Sequence, residues 1–255
     1  MTAAEILRTL LVGFPPPPEM INPGYPEFIQ KMGGLQLTLT VTSLGLFFGT
    51  FVGIALAVLR GGKVQRTGSG AEAVAKAALG WISLFFTETI RGIPIMIFVL
   101  LTYYLPYPLF GVRVPAAVLA VAAFTLYAGV YLGEIFRSGF RAVQEEIIDS
   151  ARVLGLSRSQ VLFEIKLPIA LRTMAPDMLG VAITVFKDTS VLMVVGVADM
   201  SYTARQIQAA EPVNYLLVLA LLLFIYWSIA FVASLLAVRI ETLWKGDGQK
   251  ELTCH

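Results

Sequence analysis

The sequence has 255 residues, of which 57% are hydrophobic and 14% charged, and its mean hydropathy is +0.77. Soluble globular chains carry about 25% charged residues, so the composition excludes a soluble domain and predicts an all-α membrane protein. The formal net charge of +2 gives no indication of nucleic-acid binding, and a single Cys excludes a disulfide within the chain.

Residues 1–33 combine a short amphipathic stretch with a proline-rich segment between positions 15 and 26. Glu5 and Arg8 interrupt the apolar run and no small-residue cleavage site follows, so a signal peptide is not predicted. We expect an extracytoplasmic arm with a turn or two of helix lying on the membrane surface. A disordered leader is an equally good interpretation of this segment.

Five apolar segments each approach the ~20 residues that a helix needs to cross a bilayer. They are 35–59, 77–104, 114–133, 176–198 and 213–238. Residues 34–240 are therefore predicted to form one transmembrane domain, with 241–255 as a tail. Because five spans rarely enclose a pathway, the working unit is expected to be a dimer.

The distribution of basic residues predicts the orientation of these five transmembrane helices. Thirteen Lys and Arg residues fall in the links 60–78, 137–172 and 239–255, and only four fall in the links on the other side. By the positive-inside rule the N-terminus lies outside, and the C-terminus and the stretch 144–168 are cytoplasmic.

Two of the apolar segments are interrupted by ionisable residues, each of which costs roughly 2.5–3.5 kcal/mol inside a membrane. Broken spans offer free backbone groups and often mark a binding site. The candidate residues of a substrate path are Glu88, Arg91, Gly92, Pro94, Asp188, Thr189 and Ser190. An arginine and an aspartate could hold the carboxylate and the ammonium group of a zwitterion. Alternatively, Glu88, Arg91, Lys187 and Asp188 only neutralise one another.

The polar stretch 144–168 lies between the third and fourth segments and predicts two short helices with a bend. The first helix runs over about 145–154, and Gly155 allows the left-handed stop that ends it. Ser157 with Gln160 forms a capping box for the second helix, which Pro168 is expected to end. Such an amphipathic pair can dock into a groove of a partner protein.

This stretch resembles the coupling loop of permease subunits of ATP-binding-cassette importers, the EAA loop. The pattern of that loop is Glu-Ala-Ala, three residues, Gly, nine residues and Ile-x-Leu-Pro. Here it reads Asp149-Ser150-Ala151, then Gly155, then Ile165-x-Leu167-Pro168, with the first two letters changed and the spacing intact. Four further pieces narrow the resemblance to the polar amino-acid uptake branch over residues 35–240. They are Arg91–Pro94, Glu134–Arg137, Ala170-x-Arg172 and Lys187–Ser190.

The resemblance implies an importer permease of the bacterial cytoplasmic membrane with a cytoplasmic coupling helix. It implies two ATP-binding subunits, a second permease that is the same or a sister chain, an extracytoplasmic solute-binding protein and a polar amino acid as partners. The implied ATPase-coupling residues are Asp149, Ser150, Ala151, Arg152, Gly155, Leu167 and Pro168.

An enzymatic activity is not predicted for this chain. No GxxxxGK[ST] phosphate loop occurs in the sequence, and no nucleophile and base stand at a recognisable spacing. We therefore expect no cofactor here, with ATP and Mg²⁺ bound by the partner ATPase, and no metal site or nucleic-acid partner. The alternatives are an ion-coupled secondary carrier or channel subunit, and an importer permease for another solute such as an oxyanion or osmolyte.

Overall fold

The computed structural model describes residues 1–13, 33–61, 71–210 and 212–252, and every regular element within these ranges is helical. The helices are α1 (Ala3–Val12), α2 (Gly34–Gly61), α3 (Ala71–Gly92), α4 (Ile95–Tyr104), α5 (Pro106–Phe110), α6 (Ala116–Ala142), α7 (Glu145–Val153), α8 (Arg158–Gln160), α9 (Leu167–Asp188), α10 (Met200–Ala210) and α11 (Tyr215–Leu252). A π-helical segment, Val161–Lys166, joins α8 to α9, and 3₁₀ helices occupy Thr189–Val195 and Pro212–Asn214. The proline-rich part of the N-terminal arm lies outside the described residues.

The structure has four or five candidate membrane spans, against the five segments predicted from the sequence. In the described part of the chain, four stretches are long and apolar enough to cross a membrane: Gly34–Arg60, Ala116–Ala142, Arg158–Val195 and Pro212–Thr242. A fifth candidate is the pair Ala77–Gly92 and Ile95–Phe110, which is bent by 109°. The predicted interruption of this segment is confirmed, and its sharp angle was not predicted.

The bend between α3 and α4 has its cause in Pro94. Proline has no N–H to continue the helix, and its ring pushes the preceding residue, Ile93, out of the helical region. Pro94 is itself extended, with φ −55° and ψ 134°, and it begins α4 by accepting a hydrogen bond from the Phe98 N–H at 3.0 Å. The chain therefore stops one helix and starts another within three residues.

Helices α2 and α6 run parallel and approach closely through glycines. A Cβ added to Gly49 would lie 3.0 Å from the Cβ of Ala128, and one added to Gly53 would lie 2.9 Å from the backbone nitrogen of Gly133. Small residues let membrane helices pack backbone to backbone, which strengthens dispersion contacts. Together with the fully buried Phe124, these glycines make α2 and α6 a tightly joined pair.

Helix α9 packs antiparallel against α6 along most of the length of both helices. Met174, near the start of α9, lies against Gly139 near the end of α6. At the other end, Asp188 reaches Tyr127 in the middle of α6. The same α9 face therefore extends from the polar loop of 144–168 to the centre of the bundle.

The N-terminal helix α1 belongs to a second, smaller apolar cluster. Thr2 and Glu5 form a capping box, and Ile6 and Leu10 are fully buried. These two side chains pack with residues of α10 and α11 that include Met200, Ile207 and Val218. The expectation of a short N-terminal helix is confirmed, and the interpretation as a disordered leader is wrong for residues 3–12.

The prediction that Pro168 ends a helix is wrong. The chain remains helical from Arg158 through Asp188, and the apolar span begins at Arg158 and not at residue 176. Pro168 is accommodated because the preceding turn is widened into a π-helix, in which the Leu167 N–H bonds the Leu162 carbonyl five residues back. π-Bulges are a known way in which helices absorb such an irregularity.

Candidate functional site

The polar loop forms the bent helix pair that the sequence predicts. Glu145 and Glu146 stand in the first turn of α7, where the helix dipole favours acidic groups. Asp149 and Arg152 form an ion pair, with Oδ1 and Nη1 3.0 Å apart and both side chains more than 60% exposed. An exposed pair of this kind contributes at most about 1 kcal/mol, so both groups can exchange partners at little cost. The Ser150 hydroxyl donates to the Glu146 carbonyl at 2.8 Å.

The bend itself depends on Gly155. Its φ is +85°, in the left-handed region that other residues resist, and its N–H donates to the Arg152 carbonyl at 3.0 Å. The Leu156 N–H donates to the Ala151 carbonyl at 3.2 Å, which completes the helix end. Ser157 and Gln160 then form the predicted capping box of α8. No atom lies within 4 Å of a Cβ added to Gly155, so the glycine is required by conformation and not by space inside this chain.

Two apolar side chains project from the end of α7. Val153 is 88% exposed and Leu154 is 80% exposed, whereas the nearby Ala151 is buried. They border an open groove of about 600 Å³ that Glu146, Asp149 and Ser150 also line. Leu154 follows Ala151 by three residues, a spacing that places both near one face of a regular helix, yet only Ala151 is buried. Val153 was not predicted, because it lies outside the helical face that the apolar spacing defines.

Leu167 and Pro168 lie apart from the surface of α7. Leu167 is half-buried and Pro168 is exposed, and both stand at the start of α9 directly after the π-helical segment. Their position affects the path of the helix that leaves the loop. The predicted set of coupling residues therefore divides into a surface on α7 and a helical junction behind it.

The two central charges of the predicted substrate path, Arg91 of α3 and Asp188 of α9, contact the same face of α6. The Tyr127 hydroxyl donates to Asp188 Oδ2 at 2.9 Å. The Arg91 guanidinium carbon stands 5.7 Å from the centre of the Tyr131 ring, which is a cation–π distance. The rings of Tyr127 and Tyr131 are 4.9 Å apart. A cation, two aromatic rings and a carboxylate thus follow one another across three helices.

Mutual neutralisation of the predicted charges is only partly observed. Glu88 and Arg91 are 3.9 Å apart, with side chains 59% and 41% exposed, so their pairing is weak. Lys187 is exposed, and no ion pair joins it to Asp188 in the described part of the chain. The interpretation as simple charge pairing therefore holds for Glu88 with Arg91 and not for Lys187 with Asp188.

The remaining predicted path residues have different surroundings. Thr189 is fully buried, and its hydroxyl donates to the Phe186 carbonyl at 2.7 Å. Ser190 is half-buried in the 3₁₀ helix that follows α9. Gly92 ends α3, and no atom lies within 4 Å of a Cβ added there. Pro94 sets the bend, so these four residues shape the backbone beside Arg91 and Asp188.

A second group of charges joins α2 to α6 nearer the loop. Glu134 receives hydrogen bonds from Arg137 at 2.6 Å and from Arg60. All three side chains are at most 24% exposed. Arg137 lies one helical turn from Glu134, whereas Arg60 could not be assigned to this group from the sequence, because 74 residues separate it from Glu134.

Tyr127 and Tyr131 were also missed by the sequence analysis. Together with Glu134 they stand at positions i, i+4 and i+7 of an otherwise apolar helix, which places them on one face. That spacing is the signal that could have identified them. Within the described ranges, no group of three or more His, Cys, Asp or Glu residues could hold a metal ion.

Comparison with known proteins places this arrangement in a family. The chain is similar to the L-cystine transport system permease protein TcyB of Bacillus subtilis, with 30% identity over 82% of this chain and 84% of that protein. It is similar to the glutamine transport system permease protein GlnP of Escherichia coli K12, with 30% identity over 80% of this chain and 92% of that protein.

A solved structure described as an amino acid ABC transporter with histidines superposes with a TM-score of 0.70, at 25% identity over 82% of this chain and 91% of that one. One family matches residues 49–245, a range that includes the polar loop and the face of α6 with Tyr127 and Tyr131. The chain therefore belongs to the binding-protein-dependent transport system inner membrane components, as a permease subunit of an ATP-binding-cassette importer.

Proposed function

We propose that this permease imports a polar amino acid which an extracytoplasmic solute-binding protein delivers. The names of the relatives, a cystine and a glutamine permease, support this class of substrate. So does the position of Arg91 and Asp188 against one face of α6, since a zwitterion needs one group for its carboxylate and one for its ammonium. Glu88, Gly92, Pro94, Thr189 and Ser190 shape the same path. An oxyanion has no cationic group, so an oxyanion importer would not require this pairing of opposite charges.

The observation that carries the proposal is that a continuous helix connects the polar loop to Asp188. A single helical course runs from Arg158 to Asp188, with one end beside α7 and the other at the Tyr127 hydroxyl. A displacement of the loop would therefore move Asp188 without a flexible joint in between. This favours an importer driven by a partner protein over an ion-coupled carrier, which has no use for such a loop.

In this proposal the assembled transporter has two ATP-binding subunits, and one of them docks on α7 of this chain. Val153 and Leu154 supply the apolar contact, and Asp149 and Arg152 supply polar contacts around it. Ser150 lies beside these residues in the groove, and the buried Ala151 keeps the other face of α7 close to the rest of the chain. Gly155 sets the bend, and Leu167 and Pro168 set the start of the helix that receives the displacement. ATP and Mg²⁺ are bound by those subunits, and this chain has no cofactor and no enzymatic activity of its own.

The proposed setting is the bacterial cytoplasmic membrane, with α7 on the cytoplasmic side and the N-terminus outside. The excess of basic residues around the 137–172 stretch supports this orientation. A second permease, a copy of this chain or a sister chain, completes the path. The exposed side chains of Glu88 and Arg91 support this, because charged groups inside a span require a partner or a water-filled cavity.

The test of the docking surface is the variant Leu154→Asp in the complex with the ATP-binding subunits. Leu154 contributes little to the fold because it is 80% exposed, so the variant should insert and unfold as the wild type does. We expect loss of a central apolar anchor, worth about 2 kcal/mol or more, and at least a tenfold weaker association with the ATPase. Co-purification and stimulated ATP hydrolysis are the measurements.

The matched control is Val112→Asp, which places the same charge at an exposed apolar residue in the connection before α6. It should leave association with the ATPase unchanged. A Leu154→Asp permease that binds the ATPase as tightly as the control would contradict docking at this surface.

The test of the path is Asp188→Asn, which removes the negative charge and keeps an oxygen for Tyr127. We expect assembly with the ATPase to be retained and uptake of the transported amino acid to fall at least tenfold. Uptake at the wild-type rate would exclude Asp188 from the path and leave docking at α7 untouched.

A further inference from the structure

Asp188 has an unusual partner for a carboxylate inside a membrane span. Within the described ranges no Lys or Arg nitrogen lies within 4 Å of it, and Lys187 acts on it only at longer range. The group that does meet it is the neutral hydroxyl of Tyr127 at 2.9 Å. A carboxylate makes a stronger bond with an ammonium ion than with a phenol, because both partners are then charged. The bond to Tyr127 is therefore one that a cation can displace.

Tyr127 and Asp188 belong to two different packed elements. Tyr127 belongs to α6, and its neighbours Ala128 and Gly129 are the residues against which Gly49 of α2 packs. Its ring is further supported by Phe124 at 6.1 Å and by Tyr131 at 4.9 Å. Asp188 stands at the end of α9, just before the chain changes to a 3₁₀ helix. The hydrogen bond thus joins the fixed α2–α6 pair to the helical course that leads to the polar loop.

We propose that Tyr127 is a positioning residue: its hydroxyl binds Asp188 when the path is empty, and the ammonium group of an entering substrate replaces the hydroxyl. The hydrogen bond between Tyr127 and Asp188 is called the latch below. This inference rests on the proposed function, in which Asp188 lines the path. The bond holds the α9 end against α6 and so opposes the movement that the ATPase drives. A primary ammonium ion displaces the hydroxyl and releases α9, which ties ATP use to the presence of a cationic substrate group. A solute whose cationic group has no N–H hydrogen-bond donor cannot replace the Tyr127 hydroxyl.

The first experiment measures ATP hydrolysis by the complete complex in liposomes with no amino acid present. We expect Tyr127→Phe to raise this substrate-free rate by about three- to tenfold, because the variant keeps the ring and loses only the hydroxyl that holds a charged partner. Tyr104→Phe is the matched control, since it removes a hydroxyl from an exposed ring on α4, and it should leave the rate unchanged. A residue with a merely structural role would lower thermal stability without raising futile hydrolysis.

The second experiment uses the wild-type complex and a simple probe, methylammonium chloride, against tetramethylammonium chloride at equal concentration. Methylammonium offers N–H donors and should raise substrate-free hydrolysis, whereas tetramethylammonium has none and should not. Tyr127→Phe, already unlatched, should respond to neither ion. Equal effects of the two ions on the wild type, or an unchanged rate in a stably folded Tyr127→Phe complex, would overturn the latch.

These outcomes separate the latch from the path on which it rests. If Asp188→Asn stops uptake while Tyr127→Phe hydrolyses ATP at the wild-type rate, the path stands and the latch is wrong. If Asp188→Asn imports at the normal rate, Asp188 does not line the path, and the proposed role of Tyr127 is then wrong as well.

Discussion

At the scale of single residues, Asp199 is the most heavily buried acid of the described chain. It lies between the 3₁₀ helix Thr189–Val195 and α10, with no exposed surface. Its carboxylate accepts the N–H groups of Ser201 at 3.1 Å and Tyr202 at 2.9 Å, as an N-cap of α10 does. No Lys or Arg within the described ranges forms an ion pair with it. Burial outweighs these hydrogen bonds and raises the pKa of Asp199 to about 7.

The raised pKa predicts that stability falls with pH. An unfolded Asp titrates near 3.9, so between about pH 4 and pH 7 the folded chain binds a proton that the unfolded chain has released. The free energy of unfolding therefore decreases as pH rises through this window, by up to about 4 kcal/mol at about 1.36 kcal/mol per pKa unit. Thermal unfolding in detergent at pH 5 and pH 8 measures it.

The matched variants for this measurement are Asp199→Asn and Asp177→Asn. Asparagine at position 199 is a good N-cap that does not ionise, so that variant should lose most of the pH dependence. Asp177 is exposed, and its replacement should leave the wild-type slope. The assignment to Asp199 is wrong if both variants retain the slope of the wild type.

Residues whose conformation depends on near neighbours could be predicted from the sequence, and residues that meet distant partners could not. Gly155 with its positive φ and the capping box of Ser157 and Gln160 are set within a few residues. The bond between Tyr127 and Asp188 spans 61 positions, and no local pattern encodes which tyrosine would meet the aspartate. The charges were correctly marked as unusual, whereas their partners required the helix packing.

At the scale of elements, the helical course that leaves the polar loop is one rod and not two pieces. Pro168 has no backbone N–H to donate a hydrogen bond, and the sequence therefore predicts that a helix ends there. The π-helical turn Val161–Lys166 shifts the hydrogen bonds by one residue and lets the chain continue. Propensity rules describe the cost of proline and do not tell whether tertiary packing will make the chain absorb it. The continuity is what links α7 to Asp188.

The rod predicts that Pro168 matters for coupling more than for stability. Pro168→Ala allows regular i to i−4 hydrogen bonds and removes a helix cost of about 3 kcal/mol, so thermal stability should be equal or higher. Loss of the π turn would rotate α7 and α8 relative to α9 by part of a turn. We expect ATP hydrolysis stimulated by the binding protein, and uptake with it, to fall about five- to tenfold.

Pro176→Ala is the control for this prediction. Pro176 lies inside the same α9 helix, and the turn directly before it is a regular α-helical turn. Its replacement should not change the angle of α7, and uptake should stay near the wild-type rate. Equal coupling in Pro168→Ala and wild type would show that the π turn has no part in force transfer.

At the scale of the whole molecule, the chain consists of the closely packed helices α2 and α6 and of other helices that pack against this pair. The α2–α6 pair is joined by glycine contacts and by the Arg60, Glu134 and Arg137 cluster at one end. Helix α3 bears Glu88 and Arg91 on a face that this chain leaves largely exposed. Composition predicted five spans, because about twenty apolar residues are needed for each, and the described chain has four such helices and one bent pair. It could not predict the 109° bend, which depends on how α4 packs after Pro94.

The open face of α3 predicts where a second permease lies. A charged side chain facing lipid is costly, so Glu88 should meet protein or water in the assembled transporter. With Glu88→benzoylphenylalanine in native membranes, light should produce an adduct with the mass of two permease chains, and differently tagged copies distinguish a self-dimer from a sister pair. Leu223→benzoylphenylalanine, on the apolar and 72% exposed side of α11, should give no protein adduct. A position 88 that crosslinks no protein while position 223 does would place the interface on α11, and Glu88 and Arg91 would then have to face a water-filled cavity within a single chain.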